Sequence, residues 1–571
     1  MLRQAYICIA ALLWKHLNLM NWFRLSVSKW RSLVKFLALF SLCLVVAISC
    51  GRRPEAATPN GSPSAATSTG DGRITIGTTL KPRILDPAEA YELRSLGFVH
   101  NMSDRLYTYE PNSTTLKPQL ATALPKISAD GLTYTIPIRQ GVVFHDGTPF
   151  NAAAMAFSLQ RFIENKGKPS FLLADTVDSL KATGEYELTI KLKKPFAAFP
   201  SLLAFSGTCA VSPKAYKIGL NKFEPNTFVG TGPYKLASYG TDSLRFDLFD
   251  KYWGDKPANK GVNVQIFANN AANLFNAFKT GSVDIAYLSL DPDQIRTLEQ
   301  GATSGGYQSI SAQGSVVSFL VLNVRQKPLD NPIVRQAIAA VINRPLLKDR
   351  VLYGQAESLY SMIPTTFDVS TPLFKDKYGD GDTAKAKQLL EQAGYSATNP
   401  LKVQMWYPSE SPTRRLAAST LQALAEQQLG GVLQFDVQTV DGATFFKDIA
   451  KGSYQTALLD WYPDFLDPDN YVQPFLQCSK GSAAKGCDEG GSQTQGAFYY
   501  NDRINQLIDQ ERKEQNPEAR RKIFAEIQEI VAKDVPYVPL WQSKDYVFSQ
   551  KGVTGVGIEP TQTLPYSTMK K

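Results

Sequence analysis

The stretch "DGLTYTIPIRQGVVFHDGTPF" at residues 130–150 shows which kind of secondary structure dominates the chain. In "LTYTIPI", from Leu132, apolar residues recur at every second position, as in a half-buried β-strand. Asp146 and Gly147 form a dipeptide typical of the two-residue turn of a β-hairpin. The same alternation returns in "RITIGTT" from Arg73, "EYELTIKL" from Glu185 and "SLRFDLFD" from Ser243. These patterns predict several half-buried strands.

Helical segments lie between these strands. "NPIVRQAIAAVINR" offers Asn331 as an N-cap and Pro332 at the first helical position, with its apolar residues on one face. "TRRLAASTLQALAEQQLGG" runs from Thr413 and stops at Gly430. "RKIFAEIQEIVAKD" from Arg521 predicts a third helix. Because strands and helices mix without strict alternation, we expect an α/β protein with several lobes.

Charge and length limit the function classes. At 571 residues the chain exceeds a single core, so two to four domains are expected. The net charge is +9, but six basic residues lie between Arg3 and Lys35, and no acidic residue precedes Glu55. Subtracting these six from the 61 basic residues leaves 55 against 52 acidic ones, or +3. The basic excess is therefore largely an export signal, and we expect no nucleic-acid partner.

The N-terminal segment reads as a signal peptide at residues 1–49, and translation starts at Met1 or Met20. Its apolar part, "FLALFSLCLVVAIS", has 14 residues, fewer than the roughly 20 that span a membrane. Cys50 follows "AIS", where bacterial lipoproteins carry the thiol that is diacylated. We expect lipidation of Cys50, the alternative being an ordinary cleavage site with an incidental cysteine. Residues 50–72, rich in Pro, Ser, Thr and Ala, then form a flexible tether.

Three cysteines follow Cys50. Cys478 and Cys487 lie nine positions apart in a Gly/Ser-rich segment, and in an oxidising compartment they are expected to pair. The alternative for them is a zinc site, but no histidine follows His145 and no further Cys pair exists. Cys209 is expected to be a buried thiol.

Motifs for catalysis are nearly absent. The sequence contains no G-x-S-x-G, no H-E-x-x-H and no G-x-x-x-x-G-K-[ST]. "SAAK" at 482–485 fits S-x-x-K and "KTG" stands at 279–281, in the reverse order to that of penicillin-binding enzymes. We expect no enzyme, no cofactor and no metal, and a serine hydrolase stays as an alternative.

Four motifs follow one another along the chain: "DGLTYTIPIRQGVVFHDGTPFNAAAMAFSLQR" at 130–161, "VGTGPYKL" from Val229, "LNVRQKPLDNPIVRQAIAAVINR" from Leu322 and "DWYPDFLDPDN" at 460–470. Together they resemble a known family, the family 5 extracellular solute-binding proteins of bacterial ABC importers, which bind oligopeptides, dipeptides or nickel. In the third motif, Asn343 replaces the usual Asp.

The resemblance implies a type II periplasmic-binding-protein-like α/β fold, with two lobes that close over a ligand cleft and an extra inserted domain. One lobe, lobe I, would be discontinuous, and the ligand lobe, lobe III, would carry most of the site. The expected bounds are 73–109, 226–313 and 536–571 for lobe I, 110–225 for the inserted domain II, and 314–535 for lobe III.

The resemblance also implies site residues. Asp464, three positions after Trp461, would take the α-amino group of a peptide, and Asp460, Trp461 and Tyr462 would offer backbone groups to it. The alternative is that "DWYPDFLDPDN" is only a surface turn. Dipeptide binders carry a carboxylate-binding Arg where Tyr407 stands, and oligopeptide binders carry one where Leu458 stands.

The partner of the ligand carboxylate therefore stays open, with Arg414 and Arg415 as candidates and a solvated helix start as the alternative for both. Tyr407 is expected to contact the ligand. The "CSKGSAAKGC" loop is similar to the disulfide loop of dipeptide binders.

The expected function is that of a monomeric, exported, substrate-binding lipoprotein. It would capture di- to oligopeptides and deliver them to the permease and ATPase subunits of an ABC importer, anchored by lipid on the outer face of the cytoplasmic membrane. A ligand other than a peptide, such as an oligosaccharide, an opine or a nickel chelate, is the alternative. Nickel binding through histidine is disfavoured, because residues 314–535 contain no histidine.

Overall fold

Strands and helices alternate irregularly through residues 71–288 and 290–571, the part of the chain that the computed structural model describes. The strands are β1 Ile74–Thr78, β2 Tyr107–Tyr109, β3 Leu116–Pro118, β4 Lys126–Ile127, β5 Thr133–Pro137, β6 Val177–Gly184, β7 Glu187–Leu192, β8 Tyr234–Tyr239, β9 Ser243–Leu248, β10 Val262–Ile266, β11 Ile285–Tyr287, β12 Tyr307–Leu322, β13 Ala356–Ser358, β14 Leu401–Pro408, β15 Leu433–Val440, β16 Thr456–Trp461, β17 Lys480–Ser482, β18 Gly486–Glu489 and β19 Tyr537–Gln550.

The α-helices range from single turns to about five turns. They are α1 Leu93–Met102, α2 Ala152–Glu164, α3 Phe171–Ala174, α4 Phe199–Leu202, α5 Ala271–Lys279, α6 Pro292–Ala302, α7 Pro332–Val341, α8 Arg344–Leu352, α9 Leu373–Tyr378, α10 Thr383–Gln392, α11 Pro412–Leu429, α12 Gly442–Ile449, α13 Gln473–Leu476, α14 Gly491–Thr494, α15 Asp502–Lys513 and α16 Pro517–Asp534.

The strands and helices predicted from sequence periodicity are confirmed. The four alternating segments form β1, β5, β7 and β9, and the three helical segments form α7, α11 and α16. Asn331 caps α7 by accepting from the Ile333 N–H, and Gly430 ends α11 with a left-handed φ of 60°.

The predicted two-residue turn at Asp146-Gly147 is wrong in its register. Gly147 lies at φ 81° and its N–H donates to the Phe144 carbonyl oxygen at 2.8 Å. The Phe144 N–H in turn donates to the Thr148 carbonyl oxygen at 2.8 Å. The loop therefore has three residues, because glycine takes the left-handed position that follows the turn.

An 11-stranded sheet organises most of the described residues, in the order β15-β14-β16-β12-β19-β11-β1-β10-β9-β8, with β13 also paired to β19. β1 and β8 to β11 form one end of this sheet, and β14 to β16 form the other. The long strands β12 and β19 lie in the middle of the sheet and pair with each other in antiparallel orientation. Their pairing joins the two groups of strands.

A bulge interrupts the β12–β19 ladder between Gln313 and Val317. Gly314 lies inside it, and a Cβ there would come within 2.7 Å of Ser543 Oγ and 2.9 Å of Asp545 Oδ2. The close approach therefore requires glycine. The bulge lies opposite Gln542–Lys544 of β19. The lobe boundaries expected at 313/314 and 535/536 stay predictions.

A separate sheet, in the order β4-β5-β7-β6, lies within the predicted inserted domain and contacts α2. Its core is continuous with that of lobe III. Phe196 packs edge-on against Phe465 with ring centroids 5.9 Å apart, and the Ala197 N–H donates to the Arg512 carbonyl oxygen at 2.7 Å. Residues 196 and 197, in the segment expected to form the inserted domain, therefore pack directly against Phe465 and Arg512.

The expected disulfide is confirmed. Cys478 and Cys487 are joined across the β17–β18 hairpin, with their Cα atoms 5.7 Å apart, which removes the zinc alternative for this pair. Cys209 is a buried free thiol, as expected, and burial raises its pKa to about 11.

Three expectations fall on residues outside the described ranges: the signal peptide at 1–49, the lipidated Cys50 and the tether up to residue 70. Among the helices that are described, none combines the length and the apolarity needed to cross a membrane.

Candidate ligand-binding site

The segment at residues 460–470 leaves the main sheet at the end of β16. Pro463 lacks the N–H that would continue a ladder, and Pro468 opens a short 3-10 turn that ends at Tyr471. The side chain of Asp467 caps this turn by accepting from the Asp469 N–H at 2.9 Å. The prolines thus end the strand, and the cap fixes where the next turn starts.

Hydrogen bonds hold the loop that follows β16 in one conformation. The Asn470 side-chain oxygen accepts from the Trp461 indole N–H at 3.2 Å and from the Asp464 backbone N–H at 2.9 Å. The Leu466 N–H donates to the hydroxyl of Tyr109 at 3.0 Å. These bonds position Asp464 from both sides.

A buried ionic cluster fixes the far end of the same segment. Arg520 donates two bonds to Asp467, at 2.8 and 2.7 Å, and two to Glu511 Oε2, at 2.8 and 3.1 Å. Burial, and after it the charge of Asp469, raise the pKa of Glu511 well above its usual value, which favours its neutral form. Arg512 lies 3.6 Å from Asp469. Two guanidinium groups therefore face three carboxyl groups, one of which has its ionisation disfavoured.

A cavity of about 440 Å³ opens beside Asp464, a volume within the usual range of small-ligand sites. It lies between the end of β16, the start of α1, the 204–206 segment and the loop at 560–563. Its lining residues are Tyr91, Glu92, Leu93, Leu96, Tyr109, Ala204, Phe205, Ser206, Asp460, Trp461, Tyr462, Pro463, Asp464, Phe465, Leu466, Pro560, Thr561, Gln562 and Thr563.

Asp464 meets no cation in the described part of the chain. Its Oδ1 accepts from the Tyr91 hydroxyl at 2.6 Å, a bond between residues 373 positions apart. Burial raises the pKa of Asp464 to about 6, although the hydrogen bond from Tyr91 works in the opposite direction. The carboxylate is therefore ionised at neutral pH but poorly compensated, and it faces an open cavity.

Asp460 is compensated instead. One of its oxygens accepts from Arg414 at 2.6 Å and the other accepts from the Ser318 hydroxyl at 2.6 Å. Arg414 lies in the first turn of α11 and does not line the cavity. Both residues were predicted to contact ligand separately, whereas the structure brings them together as an ion pair.

The aromatic candidates divide between the cavity and the core. Trp461 lines the cavity and packs edge-on against Phe475, with ring centroids 5.1 Å apart. Tyr462 also lines it and is 57% exposed. Tyr407 is only 6% exposed and belongs to the hydrophobic core, so the structure does not bring it to this cavity.

Several lining residues were not found by sequence reasoning. Tyr91, Tyr109, Phe205 and Gln562 come from segments far from the 460–470 motif, and Tyr91 is 373 positions from Asp464. Gln562 has an unusual backbone conformation for a non-glycine residue, a left-handed φ of 57°, but this is visible only in the structure. Nothing in the sequence around these residues indicates that they share a cavity.

A second buried carboxylate lies behind Gln562. The Gln562 side-chain amide donates to Asp545 Oδ1 at 2.6 Å, and Asp545 is 6% exposed. Burial raises the pKa of Asp545 to about 6, with the Gln562 bond opposing that shift. No basic side chain forms an ion pair with it within the ranges that the structure covers.

Comparison with known proteins finds bacterial solute-binding proteins, both by family model and by sequence similarity. The family model for bacterial extracellular solute-binding proteins, family 5 (middle), matches residues 115–483. The glutathione-binding protein GsiB of Escherichia coli K12 is 28% identical over 487 residues, which cover 83% of this chain and 90% of that protein.

Solved structures share the fold. A dipeptide-binding protein from Pseudoalteromonas sp. SM9913, in complex with Met-Leu, has a TM-score of 0.71 at 22% identity and covers 87% of this chain and 99% of its own. NikA from Brucella suis, in complex with Fe(III)-EDTA, has a TM-score of 0.75 at 20% identity, with the same coverage of 87% and 99%. The expected two-lobe, mixed α/β fold of type II is therefore confirmed. The chain belongs to family 5 of the bacterial extracellular solute-binding proteins.

Proposed function

We propose that this protein captures peptides for an ABC importer and binds their α-ammonium group through Asp464. One observation carries the proposal: Asp464 is a desolvated carboxylate with a hydroxyl neighbour, no cationic partner among the described residues, and an open cavity in front of it. An ammonium group in that position would form a charge-assisted hydrogen bond and supply the missing countercharge.

The backbone next to Asp464 supports binding of an extended chain. β16 pairs with β12 as far as Trp461, but its described ladder with β14 ends at Ala457. One edge of residues 458–461 is therefore free of a described strand partner. A peptide could add to this edge through backbone hydrogen bonds, which depend little on its side chains.

The remaining walls support permissive binding. Aromatic and aliphatic side chains, among them Phe205 and Phe465, form most of the lining, and such surfaces accept different ligand side chains without specific hydrogen bonds. A cavity of about 440 Å³ has room for a short peptide. The preferred peptide length is left open.

The test is a cycle of titrations with a tripeptide and its N-acetylated form. Asp464→Asn keeps the size of the side chain but removes the charge, so the free tripeptide should lose about 2–5 kcal/mol of binding free energy, thirty-fold or more. Acetylation should cost wild-type protein a similar amount and cost Asp464→Asn little further, because both changes delete the same interaction. Asp509→Asn, an exposed residue with the same change in charge, is the control.

Equal binding of the two forms by wild-type protein would remove Asp464 from the site. Trp461→Ala should weaken both forms by the same factor, because it removes packing and leaves the ammonium contact in place.

Two alternatives have less support. An oligosaccharide would stack on aromatic rings. The sequence offers four such side chains, Trp406, Tyr407, Trp461 and Tyr462, but only the last two line the cavity. The serine-hydrolase motif is divided, with Ser482 in the β17–β18 hairpin and Lys279 at the end of α5. Mass spectrometry of ligand retained on the purified protein would separate peptide from non-peptide ligands.

Anchoring and delivery complete the proposal. Diacylation of Cys50 would hold the protein at the outer face of the cytoplasmic membrane, where the two lobes close on the peptide and present it to the permease. Cys50→Ser should move the protein from the membrane fraction to the soluble fraction of its host, and unchanged membrane association would contradict the anchor.

A further inference from the structure

The cavity has an unbalanced set of charges. Three carboxylates line it, from Glu92, Asp460 and Asp464, whereas no Lys, Arg or His does so within the described residues. Glu92 lies 3.6 Å from Arg83, and Asp460 is paired with Arg414. Asp464 is left as the lining carboxylate without a described countercharge.

Asp545 adds a second uncompensated carboxylate behind the wall. Its described polar partner is the neutral amide of Gln562, which itself lines the cavity. The adjacent Lys544 is engaged with Glu357 at 2.6 Å and supplies no countercharge to Asp545. At neutral pH the cavity therefore lies between two ionised groups of the same sign, in a chain whose total charge is positive.

No arginine at the positions expected to bind a ligand carboxylate offers a free guanidinium to the cavity. The positions of Leu458 and Tyr407, where relatives carry a carboxylate-binding Arg, are 2% and 6% exposed and hold core side chains. Arg414 is committed to Asp460, and Arg415 is exposed outside the cavity.

We infer that this cavity recognises the ammonium end of its ligand without an ionic contact to a carboxylate, and that it selects ligands of net positive charge, such as peptides with a basic side chain or a blocked C-terminus. The inference rests on the proposed function, since it takes the ammonium at Asp464 as given. Its physical basis is the excess of like-charged groups, which repels a ligand carboxylate and so disfavours zwitterionic and anionic ligands.

Four probes separate the two ends of the ligand: Ala-Phe-Ala with a free or acetylated N-terminus, each with a free or amidated C-terminus. In calorimetric titration at pH 7.5 and low salt, amidation should tighten binding about three- to ten-fold, because it removes a negative charge from the acidic cavity. Asp545→Asn should reduce that gain, whereas the exposed control Asp509→Asn should leave it unchanged.

Tenfold weaker binding after amidation would overturn the inference, because it would reveal a cationic partner for the carboxylate. An unchanged affinity after amidation, in wild-type protein and in Asp545→Asn alike, would also overturn the selection for net positive charge. Failure of the proposed function looks different: acetylation would then have no effect, or none of the four probes would bind.

Discussion

Asp464 and Asp467 lie three positions apart in one loop, yet their surroundings are opposite. Asp467 receives two hydrogen bonds from Arg520 inside a cluster of two guanidinium groups and three carboxyl groups. Asp464 receives one bond from the Tyr91 hydroxyl and meets no described cation. The difference divides the loop into an anchored half, which holds its shape, and a cavity-facing half, which carries a charge that the described residues do not neutralise.

This division explains why one short segment contains so many acidic residues. A carboxylate awaiting a ligand destabilises the unliganded protein, so its backbone has to be held by other contacts. The Arg520 cluster and the Asn470 bonds provide that support. The ion pairs of Asp467 therefore stabilise a loop that also holds the unpaired charge of Asp464.

The largest effect is expected from breaking the anchored half. Arg520→Met leaves Asp467 buried without its partner, so the free energy of unfolding should fall by about 3–5 kcal/mol in urea titrations. Arg503→Met is the matched control, because Arg503 pairs with Glu526 in the same two-bond geometry at 2.6 and 2.8 Å but on the surface. It should cost about 1 kcal/mol or less. Equal losses in the two variants would contradict the buried clamp.

An effect of opposite sign is expected in the cavity-facing half. The pKa of Asp464 is raised from 3.8 to about 6, so ionisation is less favourable in the folded than in the unfolded chain. The resulting loss in the free energy of unfolding is absent below pH 3.8, grows between pH 3.8 and about 6, and reaches its maximum above that range. Asp464→Asn should therefore stabilise the unliganded protein at pH 7 by about 1–3 kcal/mol, and by nothing near pH 3.5.

Asp467→Asn provides the comparison for that variant. Because Arg520 would lose a charged partner, this substitution should destabilise the protein at pH 7, and urea titrations of the two variants should shift in opposite directions. Destabilisation of both would show that Asp464 is compensated in a way that the described contacts do not include.

The smallest effect is expected at Glu511. Because burial favours the neutral form of Glu511, Glu511→Gln replaces this acid by a neutral amide that can still donate a hydrogen bond and accept from Arg520. The free energy of unfolding should change by less than about 1 kcal/mol. A loss as large as that of Arg520→Met would mean that Glu511 is ionised.

Sequence reasoning succeeded where the deciding pattern is local. Alternation of apolar residues over short segments predicted β5 and β9. The separation of nine positions between Cys478 and Cys487, in a Gly/Ser-rich loop of an oxidising compartment, was enough to predict their disulfide. The 460–470 segment was nominated through the short family motif that it resembles, and its residues 460–466 line the cavity.

The failures arise where the answer depends on a distant segment. Tyr91 and Gln562 reach the cavity from other parts of the chain, and no local pattern connects either with Asp464. Arg414 was an open candidate for a ligand carboxylate because its pairing with Asp460 spans 46 positions. Tyr407 was expected to contact the ligand, but it is buried, whereas its neighbour Trp406 is partly exposed. Alternation in a strand shows that the two side chains point to opposite faces of the sheet, but it does not show which face is buried.

Proton release on binding tests most directly whether Asp464 holds an uncompensated charge for a ligand ammonium. Calorimetric titration of a free-amine tripeptide at pH 5.5, in two buffers of different ionisation enthalpy, gives the number of protons released. The α-ammonium stays protonated at this pH, so a fall in the pKa of Asp464 from about 6 to below 4 should release about 0.7 proton per peptide. Asp545→Asn should retain most of this release, and Asp464→Asn should abolish it. Binding by wild-type protein without proton release, or equal release by Asp464→Asn, would contradict the account.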